Sequence, residues 1–155
     1  MSMHENTLYS RVSLRGAPPR CLTILLAEDH AEMRHYLYAE LRADGHHVST
    51  TGDGNEMMHA LTSLSELPIA MPDAIIMDVR MPGCSGLQIL AALRAARWTT
   101  PVILITAFGE TKLHEEAARL GAAAVFDKPF DVDDLKTALR NLEHLGSAPP
   151  DANLQ

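Results

Sequence analysis

A chain of 155 residues with 46% hydrophobic and 21% charged side chains carries enough apolar material for one ordinary core, and one domain is expected. Its formal net charge of -7 argues against a broad basic footprint for nucleic acid or an anionic membrane, and suits divalent cations as partners.

Residues 1–20 (MSMHENTLYSRVSLRGAPPR) carry Arg11, Arg15 and Arg20 and close on a Pro-Pro pair, which reads as a mildly basic, mobile tail. Residues 22–27 (LTILLA) predict a first strand. Residues 30–43 predict an amphipathic helix, with Met33, Leu37 and Leu41 in one apolar stripe and Asp44-Gly45 as its stop. A short second strand is expected over 46–50. Gly52-Asp53-Gly54 then leads into a helix carrying Met57, Met58, Leu61 and Leu64, and a loop over 67–72 follows. Residues 74–77 (AIIM) predict the third strand, 87–96 the third helix and 101–105 (PVILI) the fourth strand. A helix over 110–120 is stopped by Gly121, and a fifth strand is expected over 122–126. The last helix covers 131–145, with Asp131 as its N-cap and Gly146 just past its end. Residues 146–155 (GSAPPDANLQ) read as a second tail, which leaves 21–145 as the folded domain.

No apolar run approaches the roughly 20 residues that span a bilayer, and the N-terminus lacks the hydrophobic segment of a secretion signal, so a soluble protein is expected. Cys21 and Cys84 lie far apart, with no CxxC or Cys/His spacing, which fits a reducing cytoplasm better than a disulfide framework or a zinc site.

Strands that are apolar throughout belong in a sheet covered by helices on both faces. Five successive βα units in so short a chain favour an α/β fold with an open five-stranded parallel sheet in the flavodoxin-like order 2-1-3-4-5, over a Rossmann order or a closed barrel. In such sheets the ligand crevice lies beyond the carboxyl ends of the strands. Glu28-Asp29 end the first strand, Asp78 the third and Thr106 the fourth, and the fifth runs out into Asp127-Lys128-Pro129. Three carboxylates gathered at one edge repel one another unless a hard cation or a proton relieves them, and Mg²⁺ is the natural cation. That set suits phosphoryl transfer. Asp78 would be the nucleophile that forms an aspartyl phosphate, Asp29 a direct Mg²⁺ ligand, and Glu28 a direct or water-mediated one. Lys128 and Thr106 would bind phosphoryl oxygens.

These residues resemble the receiver domains of bacterial two-component response regulators, from about Leu22 to Leu145. The matching pieces are ILLAEDH (24–30), AIIMDVRMPGCSGL (74–87), VILITA (102–107) and FDKPF (126–130). The resemblance implies phosphorylation of Asp78 by a phosphohistidine on a sensor histidine kinase or a histidine phosphotransfer protein. It implies the backbone carbonyl of Arg80 as a further Mg²⁺ ligand. It also implies a target-binding face that changes on phosphorylation, including parts of the segments from Glu110 to Leu120 and from Asp131 to Leu142. Such a domain is a phosphoacceptor, with self-directed phosphoryl transfer and autodephosphorylation, and not an enzyme acting on a separate substrate. With ten residues (146–155) after the last helix, a stand-alone receiver without a DNA-binding output domain is expected.

Val125 departs from the pattern, because the residue three before the lysine is usually aromatic and turns inward as the threonine moves. Adjacent strand residues point to opposite faces, so Phe126 does not simply replace it. Of the eight histidines, His30, His35, His46, His47, His59, His114 and His144 share no strand-end placement or HExxH spacing, and no metal or phosphodonor role is assigned to them. His30 and Arg34 fit either a kinase-docking surface or ordinary solvent exposure. Cys84 reads as loop filler. Two other functions are weighed. A phosphohydrolase would be expected to place a general acid two residues after the nucleophile, where this chain has Arg80, and a flavodoxin-like cofactor binder would need a Gly/Ser/Thr-rich phosphate loop after the first strand.

Overall fold

A computed structural model describes residues 21–66 and 71–146. The parts of the expected tails over 1–20 and 147–155, and most of the loop expected over 67–72, lie outside the described residues. Five strands, β1 (Thr23–Ala27), β2 (His47–Thr51), β3 (Ala74–Asp78), β4 (Val102–Ala107) and β5 (Ala124–Lys128), alternate with five helices. The helices are α1 (Ala31–Ala43), α2 (Gly54–Ser65), α3 (Gly86–Ala95), α4 (Thr111–Arg119) and α5 (Val132–Gly146). All strand pairs are parallel and the order is β2-β1-β3-β4-β5, as expected from the sequence.

The apolar strands bury both of their faces. Ile24, Leu26, Ile76 and Ile103 pack with Leu37 and Leu41 of α1 and Leu135 and Leu139 of α5. Leu25, Ile75, Met77 and Leu104 face the other way, against Met57 of α2, Ile89 and Leu90 of α3 and Ala117 of α4. Full burial of such side chains contributes roughly 1.5–3 kcal/mol each. The stripe of Leu37 and Leu41 is therefore the face by which α1 docks.

Several boundaries differ from expectation. β4 and β5 run further than their apolar runs, so Thr106, Asp127 and Lys128 lie within strands. Ladder hydrogen bonding to the neighbouring strand carries polar residues along with the sheet. α5 includes Gly146, which was expected just beyond it. Asp131 does hold the start of α5, accepting the Asp133 N–H at 2.9 Å.

α3 begins at a capping box that the periodicity did not mark: Ser85 accepts the Gln88 N–H at 3.1 Å and Gln88 accepts the Ser85 N–H at 2.9 Å. The strand alternation expected at β5 is observed. Val125 packs on the α2–α4 side and Phe126 on the α1–α5 side, where its ring lies 5.8 Å from that of Phe130. Among the described residues, no helix is long and apolar enough to cross a membrane.

Candidate functional site

The carboxyl ends of β1 and β3 are neighbours in register, Ala27 beside Met77, so the residues that follow meet at one edge. Glu28, Asp29 and Asp78 each place a carboxylate oxygen within 4.8 Å of the others. Glu28 is fully buried and Asp78 nearly so, whereas Asp29 is exposed. Lys128 reaches in from β5 and donates to Asp78 Oδ2 at 2.7 Å and to Glu28 Oε1 at 3.0 Å. The Arg80 backbone N–H turns back to Asp78 Oδ1 at 3.3 Å.

Three carboxylates face one ammonium, and the electrostatics are correspondingly unbalanced. Burial pushes the Glu28 carboxyl up to about 7; Lys128 pulls it down and adjacent Asp78 pushes it further up. Lys128 moves upward as well, because its bonds to Asp78 and Glu28 together outweigh the burial that opposes its charge.

Glu28 Oε2 is buried and has no hydrogen-bond partner among the described residues. A buried oxygen without a donor, next to two further carboxylates, is what a hard divalent cation or a proton would satisfy. The donor set therefore fits Mg²⁺: oxygen ligands only, excess negative charge, and an exposed Asp29 that leaves the group open to solvent.

Thr106 is fully buried on β4, and Asp78 pairs with its neighbour Ile105. The Thr106 hydroxyl donates to Glu110 Oε2 at 3.1 Å. Glu110 Oε1 in turn accepts from Arg80, through Nε at 2.9 Å and through Nη2. The Arg80 guanidinium holds the Glu110 carboxyl below the ordinary carboxylate value; burial opposes it, and the Thr106 hydroxyl adds a smaller downward effect.

The six residues singled out in the sequence thus divide into two connected groups. Glu28, Asp29, Asp78 and Lys128 come together directly, while Thr106 and Arg80 meet through Glu110. Sequence reasoning missed Glu110 as a site residue. The only signal would have been its opposite charge to Arg80, 30 residues away. It also left open the role of Arg34, whose Nη1 donates to the Glu28 carbonyl oxygen at 2.8 Å and so braces the acidic turn. Two histidines have structural partners: His46 Nδ1 accepts the Leu22 N–H at 3.1 Å, and His114 Nε2 lies 2.7 Å from Asp127 Oδ1.

Known proteins share this fold. The family described as response regulator receiver domain matches residues 24–140. The chain is 34% identical over 132 residues to transcriptional regulatory protein TcrA of Mycobacterium tuberculosis, covering 85% of this chain and 50% of that one. It is 28% identical over 117 residues to sporulation initiation phosphotransferase F of Bacillus subtilis, covering 76% of this chain and 90% of that one. The receiver domain of the Francisella response regulator 1452 superposes with a TM-score of 0.70 at 25% identity, over 81% of this chain and 98% of that one. The chain spans about half the length of TcrA and 26% of the regulatory protein AtoC of Escherichia coli. Receiver domains are phosphoacceptors of two-component signalling, generally not classed as enzymes, that bind Mg²⁺ at an acidic pocket and are phosphorylated by histidine kinases or phosphotransfer proteins. With the family matched across most of the sequence and the parallel sheet shared with its solved members, this chain belongs to the response regulator receiver domains.

Proposed function

We propose that Asp78 is the phosphoacceptor of this chain and that its phosphorylation controls binding of a protein partner or onward relay. The observation that carries the reading is the juxtaposition of Asp78 with Glu28, Asp29 and Lys128, together with the unpartnered Glu28 oxygen. In this reading Glu28, Asp29, Asp78 and the Arg80 backbone carbonyl hold Mg²⁺. The bound ion supplies charge neutralisation of the acidic pocket and of the incoming phosphoryl oxygens.

Asp78 attacks with a carboxylate oxygen. The phosphorus–nitrogen bond of a phosphohistidine breaks as a phosphorus–oxygen bond forms, and the departing imidazole takes its proton from solvent. Lys128, already bound to the acceptor carboxylate, stays beside it to pair with a phosphoryl oxygen. Thr106 supplies a hydroxyl donor to another. The proposed donor is a sensor histidine kinase or a histidine phosphotransfer protein in the cytoplasm, and the proposed target-binding surface includes parts of the segments from Glu110 to Leu120 and from Asp131 to Leu142.

Incubation with acetyl phosphate and Mg²⁺ should add one phosphoryl group to the wild type by intact mass and none to Asp78→Ala. A wild type that stays unmodified, and that also fails to bind beryllofluoride, would overturn the reading. The chain's span of only half of TcrA supports a second reading, in which it is the receiver portion of a longer regulator. An immunoblot of source cells separates the two by the size of the protein made.

A further inference from the structure

Glu110 occupies the N-cap position of α4, yet its side chain makes no capping bond to that helix. It reaches back across the β4–α4 loop, with one oxygen on Thr106 and the other on Arg80. A threonine hydroxyl has a single proton to donate. While it donates to Glu110 it cannot donate to a phosphoryl oxygen on Asp78.

We infer that Glu110 is a positioning latch, which competes with the phosphoryl group for the Thr106 hydroxyl and is released when Thr106 turns to the phosphorylated acceptor. The inference rests on the phosphoacceptor reading of Asp78 and adds a residue that regulates it. Release has an outlet at the surface. Arg80 and Glu110 line an open cleft, with Leu87, Lys112 and Leu113 among its other walls. Breaking the bond to Thr106 leaves the carboxylate at the start of α4 held by Arg80 alone, so the cleft that both line and the helix start change together. Phe108, 82% exposed between Thr106 and Glu110, moves with that loop. The route requires no inward-turning aromatic on β5, where this chain has Val125.

The test is a double-mutant cycle on beryllofluoride binding with Mg²⁺, using wild type, Glu110→Ala, Thr106→Val and the double variant. Loss of a competing hydrogen bond to a charged group should tighten binding in Glu110→Ala by about three- to tenfold. In the Thr106→Val background the Glu110 substitution should then change affinity less than about twofold, since no hydroxyl remains to compete for. Equal tightening in both backgrounds would overturn the latch and reduce Glu110 to a repelling charge. No tightening in Glu110→Ala, with wild-type binding intact, overturns the latch alone. Failure of the wild type to bind, together with no labelling by acetyl phosphate, removes the phosphoacceptor reading and the latch with it; failure to bind with labelling intact removes the latch alone. Because the coupling between two substitutions is read, a merely structural loss in either variant does not imitate the result.

Discussion

Replacing Glu28 with Gln should stabilise the metal-free protein while weakening its response to Mg²⁺. The Glu28 side chain is fully inaccessible, and burial raises its pKa from an ordinary 4.5 to about 7. A group whose folded-state pKa is raised contributes stability that is complete below the unfolded value and is lost as pH rises through the folded one. For Glu28 that window runs from about 4.5 to about 7. Above it, holding the ionised side chain costs about 3 kcal/mol at roughly 1.4 kcal/mol per unit. Gln imitates the protonated form and keeps an acceptor for Lys128. In EDTA at pH 8 the variant should therefore exceed wild type by about 2–3 kcal/mol, a Tm gain on the order of 10 °C, and at pH 5 by less than about 1 kcal/mol. Thermal unfolding followed by circular dichroism at the two pH values reads this directly. Saturating Mg²⁺ should raise the Tm of wild type more than that of the variant, because only the carboxylate gains a ligand bond. A variant no more stable than wild type at pH 8 in EDTA, or a gain equal at both pH values, would refute the reasoning.

Arg94 should prove structural. Its guanidinium donates to the carbonyl oxygens of Trp98, Thr100, Leu120 and Gly121, tying the end of α3 to the turn before β5. Arg94→Ala should cost about 2 kcal/mol in urea unfolding, and Arg94→Lys should recover little of it, since an ammonium does not reproduce the planar fork. Gly54→Ala should cost about 2 kcal/mol or more, because an added Cβ would lie 1.9 Å from the Cys84 carbonyl oxygen and force two backbone segments apart. Ser85→Ala removes half of the capping box on α3 and should cost about 1 kcal/mol in the same assay, with acetyl phosphate labelling of Asp78 retained.

Much of the site was legible because parallel strands end in single residues that chemistry can name. Glu28, Asp29 and Asp78 follow runs of buried aliphatics, and once the strand order was inferred their convergence followed from topology. Lys128 was legible for its charge, but its arrival depends on β5 running through Asp127 and Lys128. The capping box at Ser85 is readable in principle from Ser and Gln at spacing three, although apolar periodicity alone does not mark it. The histidines show the converse, since His114 acquires Asp127 as a neighbour only through the packing of α4 on β5.

The sequence by itself determined the sheet, its order and the residues that gather at its edge, because burial on two faces and the crevice at strand ends follow from local patterns of apolar and acidic residues. Tertiary structure alone decided how those residues are satisfied. It left Glu28 Oε2 without a donor among the described residues, set Arg34 against the Glu28 carbonyl, and joined Thr106 to Glu110 and Arg80. Such pairings depend on side chains from separate strands and loops meeting within hydrogen-bond distance. No local pattern records that distance.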